Sequence, residues 1–186
     1  MASLRVLGID PGLTRCGIGV VDVAPDRSAV LVHVGVVRSA PDAPAALRLA
    51  AIAAGIREVL QTHRPDVVAV ERVFAQQNRN TVMGTAQASG VALLLAAEHG
   101  IPAETHTPTE VKAAITGYGQ ADKRQVQTMV ARILRLDELP KPADAADALA
   151  LALCHAWRGG SPQAPSSAAL TPAQQAWRNA ERVGRR

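Results

Sequence analysis

The chain has 186 residues, 48% of them hydrophobic and 19% charged, so a packed core is feasible and global disorder is disfavoured. No run of about 18 apolar residues occurs, and Ser3 and Arg5 interrupt the start, which argues against membrane spanning and secretion. Residues 171–186 carry +3 of the net charge of +4, so overall basicity speaks only weakly for nucleic-acid binding.

Residues 4–10, LRVLGID, form a compact apolar run that ends in an acid, and after a turn-prone PGLTR come CGIGVVDV and AVLVHVGVV. These read as three strands joined by short breaks, which suits antiparallel neighbours. Residues 43–63 turn helical, with Leu47, Ala50, Ala51, Ala54, Val59 and Leu60 able to share one face; Arg64-Pro65 ends that helix. DVVAVE follows as a short buried strand, again finishing in a carboxylate. A helix spans 78–99, closed by Gly100, and AETHT is a weak strand candidate. Three more helices cover 108–115, 122–134 with Asp122 as N-cap, and 143–157. Residues 159–169 are rich in Gly, Ser, Pro and Ala and read as a disordered linker, before a basic end that could form one last helix. Antiparallel strands first and alternating β and α afterwards imply an α/β sandwich of three layers, a mixed sheet with helices on both faces.

Four acids stand where acids are unusual. Asp10 and Glu71 end the two buried strands, and Asp144 and Asp147 sit in ADAADALALAL, a helix otherwise free of charge until Arg158. A spacing of three puts that pair on one helical face. Singly, each is more simply a polar strand edge or a helix N-terminal acid; together they point to a hard-cation site, because buried carboxylates pair, protonate or hold cations. Oxygen ligands without Cys or clustered His favour Mg²⁺ or Mn²⁺ over zinc. Four carboxylates suffice for two ions roughly 3.5–4 Å apart, and the reaction class they imply is metal-dependent phosphodiester hydrolysis. The two cysteines, Cys16 and Cys154, lack CxxC or finger spacing and fit core packing in a reducing cytoplasm.

GIDPG at 8–12, VERVF at 70–74, GYGQADKRQVQ at 117–127 and DAADALALALCH at 144–155 together resemble the RuvC family of crossover junction endonucleases, within the ribonuclease H-like superfamily. The resemblance covers about residues 4–157 in the family's order and spacing. It implies a ribonuclease H-like five-stranded sheet over residues 1–158 and a homodimer that nicks two strands of like polarity in four-way (Holliday) DNA junctions, in recombination and repair. It further implies Mg²⁺ held by Asp10, Glu71, Asp144 and Asp147, two ions per site with Mn²⁺ able to substitute, and work beside the RuvA–RuvB branch-migration machinery. Some members carry His at the position of one of the last two acids. Lys123 matches the family's lysine beside the active site, and Lys112, in TEVKAAITG, matches a second basic position near DNA; Arg124 adjoins Lys123. Each lysine is by itself more simply a solvated helix residue, but the chain has only three lysines among its 20 basic residues and two stand at these positions. Phe74, the one phenylalanine, reads as core on its own, whereas the resemblance sets it at a loop tip against bases near the crossover. Gln76, Gln77, Asn78, Arg79 and Asn80 follow as a polar run able to contact phosphates and base edges. The helix containing QASGVALLLAAEHG is core or dimer seam, and the resemblance favours the seam. His33, His63, His99 and His106 show no metal spacing; His155 lies near the face of Asp144 and could support the site from behind. Tyr118 reads as a loop aromatic.

DPGLTRCG also fits the D-x-G-x-T-x-x-G phosphate loop of actin-like ATPases, but those need two such domains and 186 residues are too few. A nuclease acting on RNA or linear DNA shares the metal chemistry, and a non-catalytic junction binder would have no use for four acids. The segment 159–186 reads as a solubilising extension; the sharper alternative is that Arg178, Arg182, Arg185 and Arg186 contact phosphates. On that alternative, deleting residues 160–186 lowers junction affinity and flattens its salt dependence, measured by binding at several salt concentrations; unchanged affinity and slope would dismiss it.

Overall fold

The computed structural model describes residues 3–73 and 79–159, with the side chains of 79–81 and 159 excepted. Phe74, Gln76, Gln77 and Asn78, the side chain of Arg79, and the basic end of the chain therefore lie outside the described residues. Ten elements follow the predicted order: β1 (Leu4–Asp10), β2 (Arg15–Val23), β3 (Ala29–Arg38), α1 (Ala45–His63), β4 (Val67–Glu71), α2 (Arg79–Glu98), β5 (Ala103–His106), α3 (Pro108–Thr116), α4 (Lys123–Ile133) and α5 (Ala143–Gly159).

The five strands form one sheet in the order β3-β2-β1-β4-β5. Tight turns allow the antiparallel pairs β1/β2 and β2/β3, whereas β1/β4 and β4/β5 are parallel and need the crossovers supplied by α1 and α2. Strand alternation then sorts side chains between two cores. Leu7, Ile9, Ile18, Val20, Val68 and Val70 face one way, against Ile52, Ile56 and Leu60 of α1 and Ala92, Leu95 and Ala96 of α2. Val6, Val21, Val23, Val67 and Ala69 face the other way, toward α3, α4 and α5.

The buried stripe of α1 differs from the one its alanines suggested. Ile52, Ile56 and Leu60 are buried while Leu47 is 63% exposed, and Ala50, Ala51 and Ala54 also face solvent. In a helix so rich in alanine the sheet selects the few large aliphatic side chains, because they remove more apolar area from water than methyl groups do.

Helix α5 is apolar on almost every side and lies directly on β1 and β2. Its approach depends on cross-strand pairs that lack bulk: Gly8 pairs with Gly19, and Gly17 pairs with Asp10. A Cβ at Gly8 would strike the Ala148 carbonyl, and one at Gly17 the Asp144 carbonyl. One at Gly19 would lie 2.7 Å from the Leu149 nitrogen. Glycine within a strand marks such an approach by a second backbone. The helix is latched at its far end, where Arg27 donates to the Trp157 carbonyl at 2.9 Å and lies over the indole ring.

Gly19→Ala should therefore destabilise the protein by about 1–3 kcal/mol, since the obstructing atom is helix backbone that cannot yield cheaply. Gly90→Ala, in α2 with nothing within 4 Å of the added methyl, should instead stabilise by about 0.5–1 kcal/mol. Denaturant melts of the two variants test the contrast; equal and small effects would show that α5 does not depend on the glycine seat.

Candidate active site

Alternation along β1 places Asp10 on the same face as Val6 and Gly8, toward α5, and alternation along β4 does the same for Glu71 with Val67 and Ala69. The parallel ladder brings the two strand ends side by side, one residue beyond the Ile9–Val70 pair. Asp144 and Asp147 lie in the first turns of α5, where the Asp144 carbonyl sits over Gly17 and the Ala148 carbonyl over Gly8. Carboxylate oxygens of Asp10, Asp144 and Asp147 accordingly lie within 4.8 Å of one another. Glu71 joins as a close side-chain neighbour of Asp10, lining the same cleft. All four predicted acids thus converge, although residues from three elements separated by up to 137 positions supply them.

The cluster is charged beyond what its surroundings favour. Burial, followed by the adjacent Glu71 side chain and the nearby charges of Asp147 and Asp144, pushes the Asp10 carboxyl up to about 9. Two cations bound the acids. Lys123 Nζ is 2.7 Å from Asp147 Oδ2, and Arg15 Nε is 2.6 Å from Asp144 Oδ2. Burial works against the Lys123 ammonium, but the bond to Asp147 and the charges of Asp10 and Asp144 outweigh it and leave its pKa raised.

Lys123 is held in place by α4's first turn. Asp122 caps the helix, accepting from the Gln125 amide at 2.8 Å while the Gln125 side chain accepts from the Asp122 amide. A cation at the first helical position opposes the helix dipole, and Asp147 supplies the compensating charge. A cleft of about 270 Å³ opens here between Asp10, Glu71, Lys112, Lys123 and Asp147. Lys112 is therefore brought to the site. Arg124 is not: it lines a separate groove on α4 with Tyr118, Thr128 and Arg132. A second cleft, about 390 Å³, flanks the acids on the other side, between Arg15, Thr14, Arg48, Thr85 and Asp144.

Two residues have roles that the linear sequence did not disclose. His155 does not back the acids; it bonds His106 ring to ring at 3.0 Å beside the end of β5, and burial lowers the pKa of both. Arg15 read as a turn residue, yet it shares strand parity with Gly17 and Gly19, and that parity alone puts it on the α5 face. Cys16 and Cys154 are buried free thiols, pushed by burial up to about 12 and about 11, consistent with packing. Among the described residues no helix is long and apolar enough to cross a membrane.

A mixed sheet with acids ending β1 and β4, and two more on the helix that crosses them, defines a nuclease of the ribonuclease H-like fold. The family model described as crossover junction endodeoxyribonuclease RuvC matches residues 6–155. Relatives of that name from Leifsonia xyli and Paenarthrobacter aurescens are 61% and 60% identical, covering 97% and 99% of this chain and 93% and 98% of their own. Among solved structures, Thermus thermophilus RuvC in complex with a Holliday junction substrate aligns with a TM-score of 0.80 and 42% identity, over 84% of this chain and 95% of that one. The yeast mitochondrial Holliday junction resolvase aligns with a TM-score of 0.60 at 14% identity, over 84% and 81% of the two chains, and shares the fold. The chain belongs to the RuvC family of crossover junction endodeoxyribonucleases, hydrolases that cut Holliday junctions in recombination and repair.

Without metal, Asp10 opposes folding. Its folded pKa lies above the unfolded value near 4, so metal-free stability falls as pH rises from about 4 toward 9, where the unfolded chain has released a proton that the folded one retains. Asp10→Asn should raise the metal-free Tm at pH 8 by several degrees, equivalent to about 1–3 kcal/mol, and leave it nearly unchanged at pH 4. Calorimetric melts in EDTA check this; a lower Tm at pH 8 would contradict it.

Proposed function

We propose that this chain resolves four-way DNA junctions as a homodimer, each protomer hydrolysing one phosphodiester in strands of like polarity, with Asp10, Glu71, Asp144 and Asp147 as ligands to two Mg²⁺ ions. The observation that carries the reading is the convergence of four carboxylates beside a lysine-lined cleft. The donor set suits the ions: carboxylate oxygens only, close enough to share ligands, and too mutually repulsive to stay ionised without positive charge. When bound, such ions neutralise the scissile phosphate's developing charge and lower the pKa of coordinated water.

The protein's own groups set the rest. Asp10 and Glu71 would hold the ions as carboxylates, the positive charge offsetting the burial that otherwise favours a protonated Asp10. Lys123, no longer needed by Asp147, can donate to a non-bridging phosphate oxygen and offset charge there. Lys112 lies in the same cleft and steers the strand electrostatically. Helix α5, seated on glycine, keeps the acids from spreading when charge develops. Manganese can replace magnesium because both accept oxygen ligands in octahedral geometry.

Junction selectivity is assigned to the segment that begins three residues beyond Glu71. Phe74 would stack on bases near the crossover, with Gln77, Asn78 and Arg79 contacting backbone and base edges; Arg124 would contact an arm farther out. The Thermus relative, held with a Holliday junction substrate, supports this substrate. The outward face of α2 supports the dimer: Met83 and Leu94 are 66% and 57% exposed, apolar surface on one helix. Two-fold symmetry then presents two sites to two strands. Cooperation with RuvA–RuvB and a cytoplasmic setting follow from the family and from two free, buried thiols.

The test is nicking of a synthetic four-way junction against matched linear duplex, with Mg²⁺ or EDTA. Paired nicks near the crossover should depend on metal and fall by about a thousand-fold or more in Asp10→Asn and Asp147→Asn, and by about a hundred-fold in Lys123→Ala. Equal cutting of linear DNA, or cutting of RNA alone, would overturn the substrate and leave the metal site intact.

A further inference from the structure

The cleft beside Asp144 has a composition that the proposed chemistry does not use. Its wall joins two guanidinium groups, Arg15 and Arg48, to the hydroxyls of Thr14 and Thr85, and among the described residues its acids are Asp10 and Asp144. Arg48 is fixed there: Nε donates to Ser39 Oγ at 3.2 Å, and a terminal nitrogen donates to Thr14 Oγ1. Ser39 in turn ties down the loop, donating its amide to the Thr14 carbonyl at 3.1 Å. Arg15 is different. Its side chain is 40% exposed and its ion pair with Asp144 is solvated, so the pair adds little to folding. Asp144, however, is one of the proposed metal ligands, and a cation bonded to its Oδ2 competes with metal for that oxygen.

We propose that Arg15 exchanges partners during the reaction cycle, resting on Asp144 in the metal-free protein and moving to a DNA phosphate in the Arg48 cleft once a divalent cation takes Asp144. This rests on the proposed metal-dependent junction cleavage. The cleft, at about 390 Å³, has room for one backbone unit of the cut strand on the side of the acids away from Lys123. Guanidinium geometry matches phosphate oxygens, and Arg48 and Thr14 are already fixed there to receive the same group. The exchange links two events. Metal frees the arginine that DNA needs, and DNA holds the arginine away from the metal's ligand, so each ligand strengthens binding of the other.

Mn²⁺ is titrated calorimetrically into DNA-free wild type, Arg15→Gln and Arg15→Lys, with melting curves alongside, and single-turnover junction nicking is measured on the same proteins at several salt concentrations. Arg15→Gln should bind Mn²⁺ about two- to five-fold more tightly, because Asp144 has lost its competitor. Its half-saturating concentration for nicking should rise by a similar or larger factor with a salt slope smaller by about one. Arg15→Lys, which keeps the charge, should restore most of the half-saturation. Unchanged or weaker Mn²⁺ binding would overturn the exchange, and so would an unchanged half-saturation. A merely structural Arg15 would weaken metal and DNA binding together and lower the melting temperature. If wild type itself fails to nick, the proposed function falls, whereas the Mn²⁺ titration still decides whether Arg15 competes for Asp144.

Discussion

Helix α5 can lie on the sheet only because Gly8, Gly17 and Gly19 offer it no side chain to ride over. Two ladder rungs on the same face, Gly8–Gly19 and Asp10–Gly17, separated by Ile9–Ile18, hold four positions beneath the helix, and the single one with a side chain is Asp10. Backbone against backbone, with Asp144's carbonyl over Gly17, leaves the acids of the helix no room to stand away from the acid of the strand. The repulsion this creates is imposed by dispersion and apolar burial elsewhere along α5, where Leu149, Leu153 and their neighbours are wholly buried. The site is costly by design, and its cost lies where a cation can repay it.

In the metal-free protein the repulsion is met by other means. Burial and its acidic neighbours favour a protonated Asp10, Lys123 holds Asp147, and Arg15 holds Asp144. Two of the four acids therefore have a cationic partner and a third favours its neutral form, and each of these arrangements is replaceable. This explains how an acidic cluster with a close-packed floor remains compatible with a stable fold, and why its release is directional: cations that leave the acids remain at the mouths of two clefts facing a polyanion. A serine–threonine network ties Arg48 to the loop before β2, and a capping box fixes the first turn of α4 that carries Lys123, so the clefts exist before DNA arrives.

Most of this architecture was legible because the chain states it with short-range signals. Apolar runs ending in acids marked β1 and β4, Arg64-Pro65 and Gly100 marked helix ends, and the three-residue spacing of Asp144 and Asp147 gave one helical face. What escaped depends on tertiary context. In the alanine-rich α1 the periodicity placed Leu60 and Val59 against the core, whereas the sheet chose Ile52 and Ile56 over Leu47 and the alanines. His155 pointed to the acids by helical arithmetic, but β5 presented His106 first. Arg124 adjoins Lys123 in sequence, yet a helix turns successive residues about 100° apart, which sends it to another groove. Arg15 could have been found by strand parity with Gly17 and Gly19, had the turn residues before it not drawn attention to the phosphate-loop pattern.

The most direct measurement is a crystal of the protein soaked in Mn²⁺, with anomalous difference maps locating the ions. The account predicts two peaks about 3.5–4 Å apart beside Asp10, with Glu71, Asp144 and Asp147 each ligating at least one, and with Arg15 and Lys123 displaced from their acids. Manganese bound elsewhere, or an acid cluster that keeps both ion pairs intact at saturating metal, would contradict it.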